Sequence, residues 1–265
     1  MTVEAIRVSP GWLDLREGAD AAARARELVG RLPAGGPWVI HDLGCGRGAM
    51  GRWLAPLLHG RQRWVLHDRD ADLLALAAAD VPGSSADGAA VTVETRLSDV
   101  TQLGRHDLAG ATLITASALL DLLTGDDLAA LIRACAGVGC PVLFTLSVTG
   151  RVDLAPADPL DARVVAAFNA HQRRLTLLGP DAIGAAVEGF RRLGAEVIVR
   201  PSPWRLGAAE AGLVAQWLAG WVGAACEQDP ELAAEADLYR RRRLREADAG
   251  RLAVTVGHAD LLVLP

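Results

Sequence analysis

The sequence has no lysine: each of its 27 basic residues is an arginine, and one tyrosine and two methionines are spread over 265 residues. The lysine gap, beside abundant alanine and glycine, is what a GC-rich coding sequence produces, and it excludes nothing chemical. The scarcity of cysteine excludes more. Cys45, Cys135, Cys140 and Cys226 include no C-x-x-C pair and match neither zinc-ligand nor disulfide spacing, which points to a reducing compartment, the cytoplasm. No apolar run is long enough for a membrane span, and Met1 to Pro10 lacks the basic and apolar regions of a secretory signal, so no membrane association is expected. Positive charge is short as well. A net charge of -5 opposes binding a polyanion by counterion release, which disfavours nucleic acid as a partner.

Hydrophobic residues make up 51% of the chain and charged residues 22%, enough apolar material for a large core. From Trp38 onward, short apolar runs alternate with helical spacing, the sequence form of repeated βα units around a mainly parallel sheet. Strands are expected at Trp38 to Leu43, Trp64 to His67, Ala90 to Leu97, Ala111 to Leu120, Pro141 to Val148 and Glu196 to Val199, with a last edge strand within Leu252 to Leu264. Helix caps are expected at Asp70 and Thr124, and Pro180 opens a helix bearing Ile183, Val187 and Phe190. The expected organisation is a single domain over 1–265: an N-terminal helical segment (1–37), a cofactor-binding core (38–148), an acceptor-site insertion (149–180), and the rest of the sheet with extra helices (181–265). In the first segment Ala21, Ala25, Leu28, Val29 and Leu32 mark an amphipathic helix, with Arg16 and Asp20 at its entrance as a surface ion pair or part of the site's mouth.

The chemistry centres on Asp42-Leu43-Gly44-Cys45-Gly46-Arg47-Gly48, a glycine turn between a strand and a helix. There, backbone amides at a helix start can approach a ligand closely. Asp68, at the end of the second strand, is placed to accept both hydrogen bonds of a ribose diol. Gly44-x-Gly46-x-x-Ala49 also satisfies a loose dinucleotide pattern, but a carboxylate at Asp42 would repel a pyrophosphate and suits a cationic amino group and sulfonium.

This arrangement resembles the class I S-adenosylmethionine-dependent methyltransferases over about residues 12 to 205 by element order. The resemblance implies a doubly wound, mainly parallel α/β sheet of seven strands, Rossmann-like, with an antiparallel last strand and a small insertion over the site. It implies S-adenosylmethionine as cofactor, with Asp42, Gly44, Cys45, Gly46 and Gly48 facing the methionine moiety and Asp68 the ribose, Arg69 beside it. Asp99 and Val100 would meet the adenine, and Thr115, Ala116 and Ser117 would line the site. At Asp99, a turn-capping role weighs equally. The segment from His171 to Asp181 and Pro203-Trp204-Arg205 resembles the trans-aconitate-type branch.

The acceptor is expected to be a small molecule methylated at oxygen, a carboxylate among the options. Asp121, His171 as base and Arg174 as clamp are the acceptor-side candidates, although a solvated amphipathic helix explains the last two as well. Beyond that candidate base no catalytic residue is assigned, and no metal ligand set is read. His258 reads as structural, Trp217 with Trp221 as core packing, and Arg240 to Arg245 as a solvated helix face with a pair from Asp237 to Arg241. Competing functions are RNA methylation, a non-catalytic S-adenosylmethionine-binding scaffold and, more distantly, a dinucleotide-dependent oxidoreductase.

Overall fold

The computed structural model describes residues 8–265, so most of the Met1 to Pro10 reading falls outside the described residues. Ser9 accepts a hydrogen bond from the Trp12 amide and Pro10 takes the first helical position, which together start α1 (Pro10–Ala23). The helix expected over Ala21 to Leu32 is not continuous. Arg24 adopts ψ 135°, ending α1, and the chain resumes as a tight 3-10 turn over Arg26–Arg31. The apolar spacing does identify buried side chains, Ala25, Leu28 and Leu32, but two short pieces present them.

Next come β1 (Trp38–Leu43), α2 (Ala49–Leu54), β2 (Gln62–Asp68), α3 (Ala71–Asp80), β3 (Val91–Leu97) and β4 (Leu113–Ser117). α2 stops where Pro56 approaches; α3 starts where the Asp70 side chain accepts from the Asp72 and Leu73 amides. Then follow α4 (Gly125–Val138), β5 (Val142–Ala155), α5 (Asp161–Gln172), α6 (Ala182–Arg192), β6 (Glu196–Pro201), β7 (Trp204–Leu206), α7 (Ala211–Gln228), α8 (Ala233–Asp248) and β8 (Ala253–Leu264). α4 carries a complete capping box between Thr124 and Asp127.

The strands lie in the order β3-β2-β1-β4-β5-β8-β6, with β7 paired to β8. The strands from β3 to β5 are parallel neighbours, whereas β8 runs antiparallel between β5 and β6. This is a doubly wound, Rossmann-like α/β sheet. Winding outward from β1 in both directions opens a crevice at the carboxyl ends of β1 and β4. One face packs Ile114, Ala116, Val142 and Phe144 against α4 and α6; the other packs Ile40, Trp64, Leu66 and Leu143 against α2 and the Arg26–Arg31 turn. α5, α7 and α8 build a further core over β7 and the far ends of β5 and β8, where Trp217 and Trp221 stack 4.8 Å apart.

Several expectations change. The sheet has eight strands, not seven, because Trp204–Leu206 after Pro203 is too short to announce itself by alternation. The final run is an interior strand, not an edge. The segment 149–180 begins as strand: β5 continues to Ala155 because β8 supplies pairing partners through Ala253. The arginine run on α8 is not uniformly solvated. Arg243 is buried on Asp161 and Glu246, Arg242 bonds Asp158, and Asp237 pairs with Arg240 in place of Arg241. Among the described residues no helix is long and apolar enough to cross a membrane.

Candidate functional site

Parallel register sets Asp42 of β1 beside Thr115 of β4, and the Thr115 hydroxyl donates to Asp42 Oδ1 at 2.8 Å. Asp42 is buried and its second oxygen, Oδ2, has no partner. Burial pushes its carboxyl up to about 7, against the opposing pull of the Thr115 hydrogen bond and the Arg24 charge.

Beyond Asp42 the chain turns through Gly44, Gly46 and Gly48 at φ 65°, 53° and 78°, left-handed values that glycine adopts without strain. Gly48 is doubly constrained, since a Cβ there would lie 3.2 Å from the Ala77 Cβ of α3. The Gly46 amide donates to Asp68 Oδ2 at 2.8 Å, and the Asp70 amide to Asp68 Oδ1 at 3.0 Å. Asp68 thus ties the turn to the end of β2, and lone pairs remain on both oxygens. Cys45 is buried in the same turn, where burial and the charges of Asp42 and Asp68 hold its thiol protonated. Arg69 is exposed where the chain leaves β2. Thr115 and Ala116 are buried at the carboxyl end of β4. Asp99 is exposed and caps the short turn Val100–Gln102 through the Thr101 amide at 2.9 Å; Val100 packs on the α4 side of the core.

α1 roofs this group. Leu13 lies over Gly46 and Leu119 over Gly44, while Arg47 pairs with Asp14 and Arg52 with Glu17, binding helix to turn. At the end of α1 stands Arg24, which sequence reasoning missed. Its guanidinium is buried, donates to Ser117 Oγ at 3.1 Å and Thr145 Oγ1 at 3.4 Å, and lies 5.3 Å from the Trp53 ring centre. Its Nη1 has no partner. Burial lowers its pKa, while Asp20, Asp260 and Asp42 pull the other way. The signal was present: Arg24 precedes Leu28 by four residues, on the apolar side of the N-terminal segment, where a cation must have a task.

Arg16 and Asp20 form a mostly buried pair at 2.9 Å, not a surface one, and the Trp204 indole also donates to Asp20. Arg16 lies over Trp204 and its charge reaches Asp121 and His258. Asp121 Oδ1 is buried without a partner, and burial pushes that carboxyl up. His258, 5.2 Å from Trp204, has an unpartnered Nδ1 and is held down to about 4 by burial and by Arg16. His171 and Arg174 are engaged by another carboxylate, on a segment whose continuation pairs with the Asp121 turn at Leu177 and Leu178. Both meet Glu227 at the end of α7, at 3.0 and 3.2 Å, and among the described residues no hydrogen bond or ion pair joins them to Asp42, Asp68 or Asp121.

No family model matches the chain, and no curated protein matches it. Among solved structures it is similar to the cyclopropane synthase MmaA2 from Mycobacterium tuberculosis at 15% identity, covering 89% of this chain and 81% of that one, with a TM-score of 0.47. It is similar to an S-adenosylmethionine-dependent methyltransferase from Mesorhizobium loti at 19% identity, covering 91% and 100%, TM-score 0.45. Magnesium protoporphyrin IX methyltransferase from Synechocystis PCC 6803, solved with bound SAH, matches at 19% identity over 54% of this chain and 62% of its own, TM-score 0.36. At such identities and scores the likeness says nothing of the residues of the site.

Proposed function

We propose that this protein is an S-adenosylmethionine-dependent methyltransferase that acts in the cytoplasm on a small-molecule acceptor, at a hydroxyl oxygen. One observation carries the reading: Asp42 Oδ2 and Arg24 Nη1, a buried acid oxygen and a buried cationic donor with no partners, belong to one charge cluster at the crevice beside the glycine turn. Unpartnered buried polar atoms are costly, and an acid and a base left so suit a zwitterionic amino-acid end, ammonium to Asp42 and carboxylate to Arg24.

In this reading Gly44, Cys45, Gly46 and Gly48 give the ligand close approach to backbone, and Asp68 takes the ribose diol with Arg69 beside it. Asp99 and Val100 border the adenine, and Thr115 with Ala116 closes the floor. When bound, the cofactor supplies an electrophilic methyl group on a sulfonium. The protein's part is to align the acceptor and exclude water, with α1 as the roof. Asp121 is the acceptor-side carboxylate, and its Oδ1 is available to take a hydroxyl proton. It would repel a carboxylate acceptor, which sets a hydroxyl above a carboxylate here. His171 and Arg174 are not assigned to the acceptor, because Glu227 engages both, and Arg173 is paired with Asp181. The trans-aconitate-type branch therefore draws no support from that segment. RNA methylation is disfavoured because Arg242 and Arg243 are spent on Asp158 and Asp161.

The reading is tested by incubating the protein with labelled S-adenosylmethionine and a panel of hydroxyl and carboxylate acceptors. Label should pass to hydroxyl compounds and fail to do so in Asp121→Asn. Transfer confined to carboxylates, or unchanged in that variant, refutes the acceptor assignment.

A further inference from the structure

β6 ends the sheet, and among the described residues no strand pairs with its outer side. Which backbone groups face outward follows from the ladder. The Ser202 amide donates to the His258 carbonyl at 2.9 Å, in register with the β6–β8 pairing. Paired bonds recur at every second residue of an antiparallel ladder, so Arg200, Ile198 and Glu196 bond inward, and Val199 and Val197 point N–H and C=O out. The Arg200 side chain agrees, its Nη1 covering the Val199 carbonyl at 2.8 Å.

The side chains divide too. Val197 packs on the α4–α6 side of the sheet, and Ile198 on the side of the Arg26–Arg31 turn. Glu196 and Arg200 share the face of Ile198, where they make only long, exposed contacts, Glu196 with Arg31 at 3.5 Å and Arg200 with Glu27 at 3.9 Å. Exposed pairs of this kind contribute little. On the opposite face, Val199 borders a groove of about 530 Å³ that it shares with Ile183 and Val187 of α6.

We propose that β6 is a homodimer interface, pairing antiparallel with β6 of a second copy of this chain across a two-fold axis at Ile198. In that register the two outward residues of each copy are the ones that meet. Val197 and the second copy's Val199 exchange both backbone bonds, the Arg200 guanidinium leaving the Val199 carbonyl for the second copy's Glu196, and symmetry repeats the exchange. Ile198 faces its own counterpart as a non-bonded pair, and Glu196 stands opposite the second copy's Arg200 on both sides of the axis. Pro201 ends the ladder, having no N–H to offer, so the pairing is short and its register fixed. A slip by two residues would set Ile198 against a charged residue and lose the complementarity. The valines from both copies then form one apolar stripe beside the two α6 grooves.

Sedimentation velocity of the full chain and of Glu196→Arg and Arg200→Glu tests this, with circular dichroism to show that both variants keep the fold. Wild type should be a dimer, and each single variant should raise the dissociation constant roughly tenfold or more, since like charges then meet at both cross-strand positions. Mixing the two variants should restore the dimer as a heterodimer, because their charges are complementary at every position. Amide exchange at Val197 and Val199 should slow as wild-type concentration rises. A wild type that stays monomeric, a dimer indifferent to both reversals, or variants that fail to associate on mixing would each overturn the proposal.

Discussion

Replacing Asp42 by Asn should stabilise the free protein and, on the proposed reading, weaken its hold on the cofactor. The Asp42 carboxyl stands at about 7 in the folded chain against an ordinary 3.8, with burial the main cause. A folded-state value above the unfolded one means that the native state holds the proton more tightly. Stability is therefore lost as pH rises from about 4 through 7, when the unfolded chain ionises freely and the native state resists. At about 1.36 kcal/mol per unit the cost at pH near 8 is as much as about 4 kcal/mol. Asn keeps an oxygen for the Thr115 hydroxyl and removes the charge. Urea unfolding of wild type and Asp42→Asn at pH near 8 and near 4 should show the variant more stable in the first and equal in the second. Affinity for S-adenosylhomocysteine should fall at the same time, the exchange of stability for function expected of a binding residue. A variant no more stable than wild type at the higher pH would refute the reasoning.

Three further outcomes follow from buried groups. His41 and His67 stack with Nδ1 and Nε2 3.0 Å apart, and burial holds both at about 4, as it does His258. Lowered histidine values mean that each histidine's contribution to stability falls as pH drops from about 6.5 toward 4, by as much as about 3 kcal/mol for a single group, against the opposite trend of Asp42. The gap in urea stability between wild type and His258→Gln should therefore change over that range, and a gap independent of pH would refute it. Asp260→Ala strands the amides of Ala25 and Leu146 and the Ser202 hydroxyl, all of which donate to that carboxylate, and should cost about 3 kcal/mol or more by chemical unfolding. Gly48→Ala, which combines positive φ with the Ala77 contact, should lower stability by about 1–3 kcal/mol, visible as a reduced melting temperature.

The parts of the fold governed by local spacing were legible in the sequence. The runs that became β1 to β6, the Asp70 and Thr124 caps and the glycine turn all rest on interactions within a few residues, which a sequence displays directly. What hid from it depends on partners far along the chain. β5 extends to Ala155 only because β8 pairs with it from a hundred residues away, and β7 exists only as a strap on β8. The candidate site divides in the same way. Asp42, the glycines and Asp68 announce themselves by position at strand ends. Arg24 is defined by Ser117, Thr145 and Asp42, none of them near it in sequence, and Arg242 and Arg243 read as solvent-facing until Asp158 and Asp161 reach them.

The account depends most on Arg24 and Asp42 receiving an amino-acid end, and calorimetric titration tests this with two ligands, S-adenosylhomocysteine and methylthioadenosine, which lacks that end. Wild type should bind the first at least roughly tenfold more tightly than the second, and Arg24→Gln should remove most of the difference. A wild type that binds neither ligand, or an Arg24→Gln protein that keeps the full preference for S-adenosylhomocysteine, would contradict it.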